Sequence, residues 1–78
     1  MAMRMHLLLQ VDPGRAQEVA AYLAGLPQVV DTAHTSGPYD VIATVEGSAQ
    51  QVQQSLLQVR RAPGLAALRK CAAIEPAM

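Results

Sequence analysis

The sequence predicts an α+β domain of order β-α-β-β-α-β, a four-stranded antiparallel sheet with two helices on one face. Three observations predict it. Apolar residues alternate with a period of two near residues 3–11 and 39–46, and residues 29–36 between them read as a further strand. Between and after them, two stretches repeat apolar residues at helical spacing. Finally, Leu26-Pro27-Gln28-Val29 and Ala62-Pro63-Gly64-Leu65, 36 positions apart, each join a helical stretch to the next strand, a faint internal echo of two βαβ halves.

Each element has a local reason. Met3, Met5, Leu7, Leu9 and Val11 share one face of the first strand, opposed by Arg4, His6, Leu8 and Gln10. Asp12-Pro13-Gly14 stops it, with Asp12 the expected helix cap and Pro13 in the first turn, where its missing N–H costs nothing. Ala16, Val19, Ala20, Leu23 and Leu26 then form a narrow apolar stripe opposed by Arg15, Gln17 and Glu18, and Gly25 and Pro27 end the helix. In residues 29–36, Val30, Thr32, His34 and Ser36 alternate with Val29, Asp31, Ala33 and Thr35. Gly37-Pro38 breaks that strand, glycine there tolerating a positive φ. Residues 39–46 resume with Tyr39, Val41, Ala43 and Val45 on one face, so the two runs read as an antiparallel hairpin. After Gly47, Ser48-Ala49-Gln50-Gln51 has the form of a capping box. The second helix places Ala49, Val52, Leu56 and Val59 inward and Gln50, Gln51, Gln53, Gln54 and Gln58 outward or to the side. Pro63-Gly64 closes it, and residues 65–74 form the last strand. With right-handed crossovers, the two halves give the ferredoxin-like arrangement.

Size and composition say what this fold lacks. The 78 residues form one domain, 1–78, with 51% hydrophobic residues but no Phe or Trp and two Tyr. At this size folding buries only roughly 60% of the unfolded chain's surface. A single core in such a domain rarely contributes more than about 3–5 kcal/mol, and a disulfide, a metal or a partner subunit is the usual supplement. The one cysteine, Cys71, excludes an internal disulfide and a four-thiolate zinc site. Self-association is the supplement left, and the sheet face without helices, mixed in character, is the expected dimer surface.

Charge and motifs exclude more. Six basic and six acidic residues give a formal net charge of zero, with no excess positive field to neutralise phosphates, so no direct nucleic-acid partner is expected. Base stacking on this sheet needs aromatics on its central strands, and Tyr39 is the sole candidate. Gln10 and Asp12 interrupt the apolar start too early for a signal core or a membrane span, which places the chain in the cytoplasm with no membrane partner. His6, His34 and Cys71 each sit alone on a strand without H-x-x-x-H or C-x-x-C spacing, so no metal or other cofactor is expected. They read as two strand histidines and a buried thiol. No G-x-S-x-G, G-x-G-x-x-G or G-K-[ST] motif is present, and no helix N-terminus follows Cys71 to lower its pKa, so the chain is not expected to be an enzyme.

The remaining feature is Ser36-Gly37-Pro38-Tyr39-Asp40, a tight connection with a carboxylate just past it. A free amino acid needs N–H donors or a cation for its carboxylate and an acceptor for its ammonium. Turn amides around Gly37 and the Asp40 carboxylate can supply both. The same stretch also reads as an ordinary turn whose aspartate bonds local backbone amides.

The order and intervals of Leu26-Pro27-Gln28-Val29, then Ser36-Gly37-Pro38-Tyr39-Asp40, then Pro63-Gly64-Leu65 resemble the effector domain of the Lrp/AsnC "feast/famine" regulators, the RAM domain, over residues 4–75. What the resemblance implies is a sheet-to-sheet dimer, dimers joined into octameric or similar rings, and amino acid effectors bound in clefts between dimers. Ser36, Gly37, Tyr39 and Asp40 match the family's ligand turn. The last strand departs, with Leu68-Arg69-Lys70 where members often carry Thr-x-Thr, and Arg69 is the candidate ligand contact there. Members carry a helix-turn-helix domain ahead of this one. Nothing precedes the first strand here, so a stand-alone sensor or modulator is expected, one that mixes with full-length regulators. The alternative is a small dimeric α+β-barrel enzyme of the monooxygenase type, whose site needs a pocket lined by His and aromatic residues.

Overall fold

The computed structural model describes residues 3–72, with side chains through Lys70. Its elements are β1 (Met3–Val11), α1 (Ala16–Ala24), β2 (Val29–His34), β3 (Val41–Gly47), α2 (Ala49–Val59) and β4 (Leu65–Ala72). The sheet order is β2-β3-β1-β4 and every pairing is antiparallel, the ferredoxin-like arrangement.

The period-two pattern of β1 decides which face is buried. Leu7 and Leu9 lie opposite Ala43 and Val41 of β3, and all four are buried under the helices. Val19, Ala20 and Leu23 of α1 and Val52, Leu56 and Val59 of α2 close the core from above. Full burial of a Val or Leu side chain contributes roughly 1.5–3 kcal/mol, so this aliphatic set fills the role that aromatics fill elsewhere. The Tyr22 hydroxyl donates to the Gln58 carbonyl at 2.9 Å and ties the two helices.

Several local expectations need correction. Asp12 does not cap α1: Arg15 occupies that position with no side-chain cap bond. Asp12 instead uses its backbone, its N–H donating to the Gly64 carbonyl at 2.8 Å and its carbonyl accepting from the Arg15 N–H at 3.1 Å. Arg15 makes a two-pronged ion pair with Glu18, and that hydrogen bond holds the Glu18 carboxyl below its usual pKa. β2 ends at His34 and carries a bulge, with Val29 opposite Val45 but Asp31 opposite Thr44, so Val30 is the extra residue. The bulge puts Val29 on the helix side with Thr32 and His34, breaking the simple alternation. β3 begins at Val41, leaving Tyr39 and Asp40 in the connection.

α2 starts as expected. Ser48 Oγ accepts from the Gln51 N–H at 3.1 Å, and Gln51 Oε1 accepts from the Ser48 N–H at 2.9 Å. Gly47 before it has φ +156°, and a Cβ there would lie 2.8 Å from Gln51 Oε1, so a side chain would break the box. The inward face differs at two positions: Ala49 is exposed and Ser55 is fully buried. Its hydroxyl reaches the Gln28 side-chain oxygen at 2.9 Å and the Gln51 carbonyl at 3.0 Å, which satisfies it inside the core. The expected last two residues of β4, Ala73 and Ile74, lie outside the described residues, as does the Cys71 side chain.

The second sheet face carries no helix. Leu8 opposite Ile42 forms its apolar centre, His6 Nδ1 lies 3.1 Å from Thr44 Oγ1, and Arg4 pairs with Glu46 at one end. By register Asp31, Ala33, Ala67 and Arg69 share this face.

Two substitutions check the packing. Ser48→Ala is expected to lower stability by about 1 kcal/mol through loss of the cap. Leu7→Ala is expected to cost about 2–5 kcal/mol by leaving a cavity. Urea unfolding with unchanged m-values measures both.

Candidate functional site

The connection between β2 and β3 is pinned to the end of β1 by three hydrogen bonds. The Asp40 N–H donates to the Leu9 carbonyl at 2.8 Å, just past the Leu9–Val41 pair that ends the β1–β3 ladder. Asp40 Oδ2 accepts from the Val11 N–H at 2.8 Å. Gln10 Nε2 donates to the Pro38 carbonyl at 2.8 Å. Across the hairpin itself, the Thr35 N–H donates to the Asp40 carbonyl at 3.1 Å.

Asp40 therefore has a structural duty, and the amide it serves lies on β1 rather than in its own turn. That duty has a local cause. The β1–β4 pairing shifts register between Gln10 and Val11, so the Val11 amide falls where the regular ladder is disturbed, and the carboxylate takes it. The bond engages Oδ2, and among the described residues no hydrogen bond reaches the other carboxylate oxygen.

The remaining sequence candidates fall as follows. Ser36 and Gly37 are exposed, and Tyr39 and Asp40 are half-buried in the same turn. Gly37 does not adopt a positive φ, and a Cβ there would meet only Thr35 Oγ1 at 3.8 Å, so in a single chain nothing demands glycine. Its N–H is already held, loosely, by Thr35 Oγ1 at 3.3 Å. Arg69 stands apart: it lies opposite Leu8 on β4, with β1 between it and β3. Two interstrand spacings separate those strands by about 10 Å. The structure thus gathers Ser36, Gly37, Tyr39 and Asp40 and leaves Arg69 across the sheet. Gln10 and Thr35, which hold the turn, escaped the sequence reading. Gln10 is 28 residues from its partner, and no local pattern signals such a bond.

Two surface hollows, of about 260 Å³ beside the β2 bulge and about 280 Å³ between α2 and β4, involve none of the turn residues. Among the described residues no group of three His, Cys, Asp or Glu side chains is placed to hold a metal ion. His6 and His34 do not converge either, since register sets His6 on the open face and His34 on the helix side.

No family model matches the sequence, and no curated protein matches it. Solved structures do. A Thermus thermophilus protein, TTHA0845, superimposes with a TM-score of 0.88 at 22% identity, covering 97% of this chain and 98% of that one. E. coli AsnC gives a TM-score of 0.85 at 16% identity over 97% of this chain, which spans 54% of AsnC. A transcriptional regulator of Neisseria meningitidis, NMB0573, solved as its L-Met complex, gives 0.79 at 13% identity, with 95% of this chain and 51% of that one covered. The chain therefore has the fold of the Lrp/AsnC effector domain, the RAM domain, in a unit that matches part of the regulators and nearly the full length of a protein of its own size.

Proposed function

We propose that this chain is an Lrp/AsnC-type effector domain that binds a small ligand, an amino acid, at the 36–40 turn and acts as a stand-alone sensor or modulator of transcriptional regulators. The observation that carries the reading is the pre-positioned Asp40, one oxygen anchored to the Val11 amide and the other open to an incoming ammonium. The likeness to a regulator solved with L-Met supports an amino acid as the ligand class.

Neither surface hollow given by the described residues involves the turn, and in this reading the cleft is completed by neighbouring copies. The open sheet face, with Leu8 and Ile42 at its centre, is the proposed dimer surface, and dimers join into an octamer or similar ring. Arg69, on the edge strand away from the turn, serves in this arrangement as a cation offered to a ligand at a neighbouring copy's turn. Full-length regulators of the same fold are proposed partners, and the compartment is proposed as the cytoplasm. No helix among the described residues is long and apolar enough to cross a membrane. The monooxygenase-type alternative is disfavoured because His6 and His34 lie on opposite faces of the sheet and line no common pocket.

Calorimetry with each of the twenty amino acids is expected to find at least one ligand, and a blank across the panel would overturn the sensor reading. Asp40→Asn is the discriminating variant, because Oδ1 of asparagine can still accept from the Val11 amide while the charge is gone. It is expected to keep the thermal midpoint and weaken binding at least about tenfold, the scale of a lost charge-assisted bond. Asp40→Ala leaves the Val11 amide without its acceptor and is expected to cost about 1–3 kcal/mol of stability as well. In a gel shift at physiological salt the chain alone is expected to retard no DNA, and sequence-specific retardation would contradict that.

A further inference from the structure

The charges of this chain are segregated along its length. Its carboxylate side chains are Asp12, Glu18, Asp31, Asp40, Glu46 and Glu75, so none lies between residues 47 and 74, whereas Arg60, Arg61, Arg69 and Lys70 all do. The fold brings two of these four cations to one place. Lys70 lies opposite Leu7 of β1, a fully buried residue, so it stands on the helix side of the edge strand β4. Arg60 is the C-cap of α2. Together with Gln53, Leu56 and Leu57 they line the hollow of about 280 Å³ between α2 and β4. Arg4 and Arg15 are each held by a glutamate, but among the described residues neither Arg60 nor Lys70 is in an ion pair. Leu57, 63% exposed, gives the same hollow an apolar wall.

We propose that this hollow binds a small organic anion with an aliphatic body, a carboxylate or a phosphate monoester, at a site separate from the 36–40 turn. Two like charges that converge on one hollow repel each other, and an anion between them relieves that repulsion. The Arg60 guanidinium can grip an oxyanion through two parallel N–H bonds, and Lys70 adds a point charge from β4. Gln53 contributes a carboxamide donor. Leu56 and Leu57 offer no polar atom, so the part of the ligand against them is hydrocarbon. The class is thereby bounded on both sides. A bare inorganic ion leaves the leucines wet, and a neutral hydrocarbon leaves two cations without a counter-charge. No carboxylate lines the hollow to accept from an ammonium, which sets this ligand apart from a free amino acid. The carbonyl end of α2 carries partial negative charge and attracts no anion by itself, so the site depends on the two side chains jointly. Arg69, one residue before Lys70, lies opposite Leu8 on the open sheet face and takes no part. None of the lining residues belongs to the turn, so this site stands or falls apart from the amino acid reading.

Amide chemical shifts of the full chain, titrated in turn with sodium hexanoate, hexyl phosphate, inorganic phosphate and hexanamide, test it. Hexanoate or hexyl phosphate is expected to shift the amides around Gln53, Leu57, Arg60 and Lys70, and the tighter of the two names the headgroup. Inorganic phosphate and hexanamide, each lacking one half of the ligand, are expected to bind at least about tenfold more weakly. Arg60→Gln and Lys70→Gln are each expected to weaken the binding at least about threefold, the scale of a partly exposed ion pair. Both residues are exposed, so the circular dichroism spectrum should not change. Arg61→Gln removes the same charge from a residue that does not line the hollow, and is expected to leave the affinity unchanged. An Arg61→Gln loss equal to that of Arg60→Gln would overturn the site, because the attraction would then be a general field. Hexanamide as tight as hexanoate, or inorganic phosphate as tight as hexyl phosphate, would overturn it as well. Shifts confined to the 36–40 turn, or none at tens of millimolar of either ligand, would do the same.

Discussion

Everything in this domain hangs on the register of β1 against β3. Leu7 opposite Ala43 and Leu9 opposite Val41 set one face of the sheet toward the helices, and a slip of a single residue would turn that whole set to solvent. The same register carries Leu9 to the point where its carbonyl takes the Asp40 amide, and Val11 to the point where its amide meets the Asp40 carboxylate. Core and candidate site are therefore not separate designs. One strand pairing buries the aliphatic residues and fastens the turn proposed to meet the ligand.

The fold was legible because its signals are local. The alternation of β1, the stripe of α1 and the Ser48–Gln51 capping box each lie within a dozen residues, and the structure reproduces all three. Failures came where a tertiary partner decides. Asp12 looks like a cap by spacing, yet its N–H is drawn to the Gly64 carbonyl of the loop before β4. The β2 bulge at Val30 is invisible in a pattern of small and β-branched residues that suits either face. Ser55 is not placed on the inward face by the apolar pattern, and its burial depends on Gln28, brought from 27 positions away, to supply its hydrogen bond.

The turn shows the same division more sharply. Its residue types announced a connection with a carboxylate, and the two readings of Asp40, as ligand acceptor and as a bond to backbone, are compatible because a carboxylate has two oxygens. One is occupied by Val11. What could not be read was the support from Gln10, a residue that alternation assigns to the open sheet face and that uses its reach to grip the Pro38 carbonyl. Gln10 thus joins the surface proposed to meet a second copy to the turn proposed to meet the ligand. Arg69 shows the opposite case, since the sheet order holds it across β1 from the turn.

The central claim is that the ligand site exists only between copies. Titrating an amino acid that binds, at protein concentrations above and below the assembly transition, tests this most directly. Binding should be full in the assembled protein and vanish in dispersed single copies, and added ligand should shift the transition to lower concentration by linkage. Equal affinity in single copies and in the assembly would contradict it.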